Sequence, residues 1–236
     1  MHPLPRRPAR PIGFAHRGAR AERPENTIEA FARALELGAT GLESDAWLAA
    51  DGQVVLDHDG VTGPPWRRRA VSAQVRSDLP SHIPSLADLY EACGTAFELS
   101  LDVKDPAALP PILAVAGAAS ATERLWLCHG DWQLMAGWRA RAGAAKLVQS
   151  TRLGRIPEGL EARSLALRAA GIDALNLHRR DWALERVATV HGAGLAAFGW
   201  DAQTGAEITR LLECGVDGVY SDHVDLLMPA IARLAG

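Results

Sequence analysis

The sequence predicts an α/β fold, a (β/α)8 barrel with a short insertion after a β-hairpin arm. Short apolar runs with β-branched or aromatic residues alternate with longer segments of helical period, a pattern typical of parallel strands joined by crossover helices. Nine strand candidates occur, and an Asp-Gly turn signal makes one of them an antiparallel arm, which leaves eight parallel strands. The length of 236 residues is close to the ~250 residues of a single barrel domain. An open doubly wound sheet is the alternative, but no Gly-rich phosphate-binding loop follows any strand.

The predicted elements follow each other in regular order along the chain. The strand candidates are Ile12–Ala15, Gly41–Ala46, Val54–His58, Phe97–Val103, Leu125–Cys128, Lys146–Gln149, Ala174–Leu177, Leu195–Trp200 and Gly218–Tyr220. The helical candidates between them are Thr27–Leu37, Leu86–Ala92, Ala107–Ala118, Trp132–Arg141, Ser164–Ala170, Trp182–His191, Ala206–Glu213 and Val224–Leu234. Gly38 and Gly215 follow two of these helices and predict left-handed C-terminal caps.

The chain is divided into a proline-rich tail at residues 1–11 and one barrel domain at residues 12–236, with a short insertion at residues 60–84 near the site mouth. The tail is basic but lacks the run of at least ~7 apolar residues that an export signal needs. No run approaches the ~18 apolar residues of a membrane helix. We therefore expect a cytoplasmic protein without stable membrane insertion.

Composition excludes several classes of function. The 25 basic and 28 acidic residues give a net charge of −3, which argues against a dedicated nucleic-acid-binding protein. The 48% hydrophobic content excludes general disorder. The three cysteines, Cys93, Cys128 and Cys214, show no paired spacing and are expected to be reduced.

The predicted hairpin brings polar residues together. A two-residue turn at Asp51 and Gly52 places Asp45 opposite His58, and Glu43 lies on the same face as Asp45. Two crowded carboxylates favour a cation, and oxygen ligands suit a hard ion such as Mg²⁺ or Ca²⁺. A solvated hairpin with ordinary surface charge is the alternative interpretation.

Two further strand ends carry charged residues. His16-Arg17-Gly18 lies at the carboxyl end of the first strand, the barrel face where active sites form. Asp102 and Lys104 are two residues apart on a later strand and face the same way. A salt bridge at the barrel mouth is the alternative interpretation of the second pair.

Further short motifs occur in a fixed order over roughly residues 12–227: His16-Arg17-Gly18, Pro24-Glu25-Asn26-Thr27, Glu43-x-Asp45, Asp51-Gly52, His58-Asp59, Ile83-Pro84-Ser85-Leu86, Asp102-x-Lys104, Phe198-Gly199-Trp200, Gly215-Val216-Asp217-Gly218 and Ser221-Asp222. In this order and spacing, they resemble the glycerophosphodiester phosphodiesterase family. Asp102 stands where the family usually has Glu, so this side chain is one methylene shorter.

The resemblance implies a barrel enzyme that hydrolyses glycerophosphodiesters to glycerol 3-phosphate and an alcohol with a divalent cation, Mg²⁺ or Ca²⁺. It implies the following assignments: Glu43, Asp45 and Asp102 as metal ligands, His16 and His58 as the acid–base pair, Arg17 and Lys104 on phosphate oxygens, and Glu25 and Asn26 as supporting residues. Trp200, at a strand end, either packs against the glycerol of the substrate or fills the top of the barrel.

Several points stay open from sequence. The attacking group is either water or a substrate hydroxyl that first gives a cyclic phosphate. The two alternative functions are a phospholipase D-like activity on lysophospholipids or sphingomyelin and non-catalytic binding of phosphate esters. The leaving alcohol, the identity of the metal, the division of roles between the two histidines and the oligomeric state are not readable from the residues.

Overall fold

Eight parallel strands close into a barrel in the computed structural model, which describes residues 10–234. The barrel strands are β1 (Ile12–His16), β2 (Gly41–Leu48), β6 (Glu98–Val103), β7 (Leu125–His129), β8 (Lys146–Thr151), β9 (Ala174–His178), β10 (Ala196–Trp200) and β11 (Gly218–Ser221). The ring closes because β1 pairs in parallel with both β11 and β2. The predicted fold class is confirmed, and residues 1–9 of the predicted tail lie outside the described part of the chain.

Helices connect the barrel strands on the outside. They are α1 (Ile28–Glu36), α2 (Leu86–Cys93), α3 (Leu109–Ala118), α4 (Trp132–Ala136), α5 (Arg139–Ala142), α6 (Leu160–Ala169), α7 (Leu184–Gly192), α8 (Gly205–Glu213) and α9 (Val224–Arg233). The one helix predicted over 132–141 is two helices, α4 and α5, with Gly137 at the end of the first. Gly38 and Gly215 adopt φ values of 87° and 86°, as the predicted left-handed caps require.

Side chains alternate strictly between the inside and the outside of the barrel. Phe14, Val148 and Phe198 lie inward and form an apolar plug in the barrel interior. The residue two positions further along each strand carries a polar group: His16, Ser150 and Trp200. The layer that these three apolar residues form is therefore followed by a polar layer at the carboxyl ends of the strands.

The hairpin that follows β2 corrects one prediction. Strand β3 (Val54–Leu56) is antiparallel to β2, as expected, but Trp47 pairs with Val55. The Ala49 backbone N–H donates to the Gln53 carbonyl at 2.9 Å, so the loop has three residues instead of two. Gly52 has a φ of 82°, which suits the left-handed last position of a three-residue hairpin loop.

The longer loop shifts the register by one residue. The Asp57 backbone N–H donates to the Asp45 carbonyl at 3.0 Å, so Asp57 takes the place opposite Asp45 that the two-residue turn predicts for His58. The prediction that His58 lies opposite Asp45 is therefore wrong. A one-residue change in loop length is enough to cause this, because pairing register follows turn geometry.

Residues 60–84 form a small layer beside β3. It contains the two-stranded sheet of β4 (Val61–Thr62) and β5 (Arg69–Ala70) and the single 3-10 turns Pro65–Arg67, Val71–Ala73 and Arg76–Asp78. Further 3-10 turns occur at Pro106–Ala108, Thr122–Arg124, Leu153–Arg155 and Arg179–Asp181. None of the described helices is long and apolar enough to cross a membrane.

Candidate active site

A cavity of about 280 Å³ opens at the carboxyl ends of the barrel strands. Its lining consists of the inward-facing residues at the strand ends and the first residues of the following loops: His16, Arg17, Glu43, Asp45, Ser100, Asp102, Lys104, Cys128, Ser150, Asn176, Trp200, Asp201 and Tyr220. Seven of these are site residues predicted from sequence, namely His16, Arg17, Glu43, Asp45, Asp102, Lys104 and Trp200.

His16 lies between two carboxylates. Its Nδ1 is 2.6 Å from Asp222 Oδ1, and its Nε2 is 3.8 Å from Glu43 Oε2. Burial lowers the pKa of His16, but the Glu43 charge and the hydrogen bond to Asp222 raise it more, so the net shift is upward. Asp222 thus fixes the ring and favours its protonated form.

Glu43 is a buried carboxylate. Its side chain accepts a hydrogen bond at 3.0 Å from the Arg17 backbone N–H. Burial and the nearby charges of Asp45 and Asp102 raise the pKa of Glu43 to about 7, against the opposing effect of His16. Burial and the neighbouring carboxylates thus disfavour the ionised form of Glu43.

Asp45 and Asp102 stand side by side on paired strands and share one ammonium group. They pair in the β2–β6 register, and Lys104 Nζ lies 3.1 Å from Asp45 Oδ1 and 2.5 Å from Asp102 Oδ2. Burial lowers the pKa of Lys104, but the two carboxylates raise it by more, so the pKa lies above the ordinary value for lysine. The lysine is therefore charged and lies between these two carboxylates.

The donor set fits a hard divalent cation. Glu43, Asp45 and Asp102 offer carboxylate oxygens from adjacent strands, and burial together with their crowding raises the pKa of Glu43, a cost that a bound cation would relieve. Within residues 10–234, no three His, Cys, Asp or Glu side chains are arranged as a preformed metal cluster. Binding an ion thus requires Lys104 to move from its position between Asp45 and Asp102.

The loop after β1 supports the acidic residues in an unusual backbone conformation. Arg17 and Asn26 both adopt a φ of 55°, which non-glycine residues rarely do. The Arg17 guanidinium donates to Glu25 at 3.0 Å and lies 3.4 Å from Asp45 Oδ2. Asn26 is buried, accepts from the Ser44 hydroxyl at 2.7 Å and donates to Asp45 at 3.4 Å. Glu25 and Asn26 therefore contact the residues that they were predicted to support.

His58 differs from the other predicted residues. It follows β3, its side chain is 40% exposed, and its Nδ1 lies 2.8 Å from Asp59 Oδ1. It is not among the residues that line the cavity. The structure brings six predicted charged residues into one cavity. His58 follows Asp57, which pairs with Asp45, but it does not line the cavity.

Apart from Trp200, the residues of the far wall and the floor of the cavity are not among the site residues predicted from sequence. The Ser100 hydroxyl lies 3.2 Å from Cys128 Sγ and 3.0 Å from the Tyr220 hydroxyl, and these three residues form the floor. Ser150 and Asn176 belong to the wall opposite Glu43 and Asp45. The sequence signal for Ser150 and Asn176 is the alternation of inward and outward residues along their strands. Each of these two residues lies two positions beyond a buried apolar residue that points inward.

The comparisons with known proteins agree on one family. The family model described as the glycerophosphoryl diester phosphodiesterase family matches residues 16–83. A glycerophosphodiester phosphodiesterase from Caldanaerobacter subterraneus is 25% identical, over 93% of this chain and 97% of that protein. These matches include the segment that carries His16, Arg17, Glu43, Asp45 and His58.

Solved structures show the same fold. A glycerophosphodiester phosphodiesterase from Thermotoga maritima superposes with a TM-score of 0.80 at 22% identity, over 93% of this chain and 97% of that one. An Oleispira antarctica phosphodiesterase, solved in complex with the product sn-glycerol-3-phosphate, has a TM-score of 0.82 at 19% identity, over 94% and 97%. The family model, the full-length relative and the fold of the solved structures all support the glycerophosphoryl diester phosphodiesterase family for this chain.

Proposed function

We propose that this chain hydrolyses glycerophosphodiesters to glycerol 3-phosphate and an alcohol, with a divalent cation, Mg²⁺ or Ca²⁺. The observation that carries the proposal is the convergence of one histidine, two basic side chains and three carboxylates in a single cavity at the catalytic end of the barrel. The Oleispira relative was solved with sn-glycerol-3-phosphate, which supports this substrate class.

The metal ligands in this proposal are Glu43, Asp45 and Asp102. A cation held there supplies positive charge for the phosphate oxygens and acts as a Lewis acid. Asp102 is the ligand whose substitution we expect to affect metal binding most, because its side chain is shorter than that of glutamate and is already paired with Lys104.

Arg17 and Lys104 bind the phosphate in this proposal. A phosphodiester is anionic and repels an attacking nucleophile, so positive side chains must neutralise its oxygens. Arg17 can donate hydrogen bonds to two phosphate oxygens from its planar guanidinium, whereas Lys104 acts as a point charge. Both line the cavity and are held there by acidic partners, Glu25 for Arg17 and Asp102 for Lys104.

The histidines transfer the protons. The attacking hydroxyl must lose a proton and the leaving alkoxide must gain one, and imidazole suits both tasks near neutral pH. His16 is held in the cavity by Asp222, while His58 reaches solvent beside Asp59. We propose that these two residues divide the two tasks between them.

The experiment that tests this proposal replaces each histidine. His16→Ala and His58→Ala should each lower the release of glycerol 3-phosphate from glycerophosphoethanolamine by about 100-fold or more, because each removes one proton-transfer group. His82→Ala, at an exposed position outside the cavity, is the control and should keep full activity. Circular dichroism checks that all three variants are folded. Near-normal turnover in His16→Ala would contradict the proposal.

The metal assignment has its own test. Asp102→Ala should raise the concentration of Mg²⁺ or Ca²⁺ needed for half-maximal turnover, because one carboxylate ligand is lost. Asp102→Glu should need the same metal concentration as wild type, since it retains the carboxylate. An unchanged metal titration in Asp102→Ala would show that Asp102 does not bind the ion.

A further inference from the structure

The cavity wall that faces the acidic residues contains a buried polar atom with no partner. Asn176 is 5% exposed, and its Nδ2 donates to the Ser150 hydroxyl at 3.2 Å. Its Oδ1 has no hydrogen-bond partner within residues 10–234, although Asn176 lines the cavity. Leaving a buried amide oxygen without a hydrogen bond costs free energy, so we expect a group that enters the cavity to donate a hydrogen bond to this atom.

Trp200 presents a second unpaired atom on the same wall. Its indole Nε1 is buried and has no hydrogen-bond partner among the described residues. Trp200 lies on β10, directly beside β9, which carries Asn176. The wall therefore offers one unpaired acceptor and one unpaired donor on neighbouring strands.

One face of the Trp200 ring is covered by a cation. The Arg152 guanidinium lies 4.8 Å from the ring centroid, and the ring packs edge-to-face with the ring of His178 at a centroid distance of 4.7 Å. Arg152 has no carboxylate partner within 4 Å in the described part of the chain. A quaternary ammonium would seek an aromatic face, and here it would meet a positive charge instead.

A hydroxyl group satisfies these constraints. It both donates and accepts, so it can pair with the amide of Asn176 and with the indole N–H of Trp200. An apolar group would leave both atoms unpaired, and an ammonium would be repelled by Arg152.

We propose that Ser150, Asn176 and Trp200 form a hydroxyl-binding wall that holds an alcohol portion of the phosphodiester opposite the acidic residues. This inference rests on the proposed function, because the phosphate is taken to lie against Arg17 and Lys104. Asn176 is then a specificity-determining residue, and Ser150 positions its amide. The hydroxyls belong either to the glycerol or to the leaving alcohol, and two measurements separate these sources.

The first measurement compares two phosphates that differ only in their hydroxyls. Isothermal titration calorimetry with glycerol 3-phosphate and with propyl phosphate is done on wild type, Asn176→Leu and the control Gln133→Leu, an exposed helix position. If the wall binds the glycerol, wild type and the control bind glycerol 3-phosphate about tenfold more tightly than propyl phosphate. Asn176→Leu then loses this difference without a weaker affinity for propyl phosphate.

The second measurement compares kcat/KM for glycerophosphoglycerol and glycerophosphocholine. If the wall binds the leaving alcohol, Asn176→Leu lowers the value about tenfold for glycerophosphoglycerol alone, through KM more than kcat. Ser150→Ala should show the same pattern more weakly, and it replaces Asn176→Leu if that variant does not fold.

The outcomes separate this inference from the proposed function. If wild type hydrolyses neither diester, the proposed function fails, and the calorimetric comparison alone decides the inference. The proposal of a hydroxyl-binding wall is overturned if a folded Asn176→Leu variant, or Ser150→Ala in its place, matches wild type in every comparison that can be made.

Discussion

His16, which lines the cavity, forms a short polar contact with Asp222. They lie on β1 and just after β11, two strands that neighbour each other although 206 residues separate the pair in sequence. The 2.6 Å contact between Nδ1 and the carboxylate leaves Nε2 as the ring atom nearest Glu43. In the proposed mechanism, proton transfer by His16 therefore depends on a residue that only the closure of the barrel brings to it.

Replacing Asp222 should change the titration of His16. Asp222→Asn removes the negative charge and the strong acceptor, so the imidazolium is less stabilised and the pKa of His16 should fall. Turnover should fall by at least about tenfold because the ring is less well oriented. NMR titration of the imidazole nitrogens measures the first effect. Asp225→Asn, beside His223 and 52% exposed, is the control, and an unchanged pKa in Asp222→Asn would refute the pairing.

The raised pKa of Glu43 predicts that metal affinity depends on pH. Burial and the charges of Asp45 and Asp102 raise the pKa of Glu43 to about 7, so the metal-free carboxyl carries a proton below that value. The ion must displace this proton, so affinity should rise with pH and level off above about 7. We expect binding of Ca²⁺ at pH 6 to be about tenfold weaker than at pH 8.

Calorimetric titration of the chelator-treated protein at both pH values checks this expectation. Glu43→Gln should bind the ion more weakly and lose most of the pH dependence. Glu36→Gln, on the exposed end of α1, should keep both the affinity and its pH dependence. Equal affinity at pH 6 and pH 8 in wild type would contradict the assignment of Glu43 as a ligand.

At the scale of elements, the loop after β1 is constrained by close contact with α1. Gly18 has a φ of 81°, and a Cβ at this position would lie 2.7 Å from the backbone and Cβ of Ala30. The Ala19 backbone N–H also donates to the Ala30 carbonyl at 2.9 Å. The close approach of the loop to α1 thus fixes the position of Arg17.

A pair of glycine substitutions tests this constraint. Gly38 also has a left-handed φ, 87°, but a Cβ on this residue would have no other atom within 4 Å. Gly38→Ala should cost about 1 kcal/mol in the free energy of unfolding, from backbone strain alone. Gly18→Ala should cost roughly 1–3 kcal/mol more, because Ala30 must also move. Urea unfolding compares the two, and equal costs would mean that the loop does not press on α1.

The β2–β3 hairpin shows where prediction from sequence fails. Asp51-Gly52 correctly indicates a hairpin, but the same dipeptide fits a two-residue and a three-residue loop. Hydrogen bonding of Ala49 with Gln53 selects the longer loop, and the pairing of Asp45 moves from His58 to Asp57. Turn signals thus predict the existence of a hairpin, whereas its register depends on contacts that a local pattern does not contain.

At the scale of the whole molecule, the alternation of inward and outward residues determines which side chains share the cavity. Because all eight barrel strands run the same way, the last inward residue of each one reaches the same rim. His16, Asp45 and Asp102 are predictable on this basis. The hydrogen bonds of Asn176 and the insertion of Lys104 between two carboxylates are not, because they depend on side-chain packing across the closed barrel.

The activity proposed for this cavity is the hydrolysis of glycerophosphodiesters with the help of a divalent cation. Release of glycerol 3-phosphate from glycerophosphocholine and glycerophosphoethanolamine, measured with chelator, Mg²⁺ or Ca²⁺, tests it most directly. We predict release that needs the ion and that His16→Ala abolishes. Wild-type protein that releases no glycerol 3-phosphate with either ion would contradict the claim, and activity on lysophospholipids alone would assign the site to lipid substrates instead.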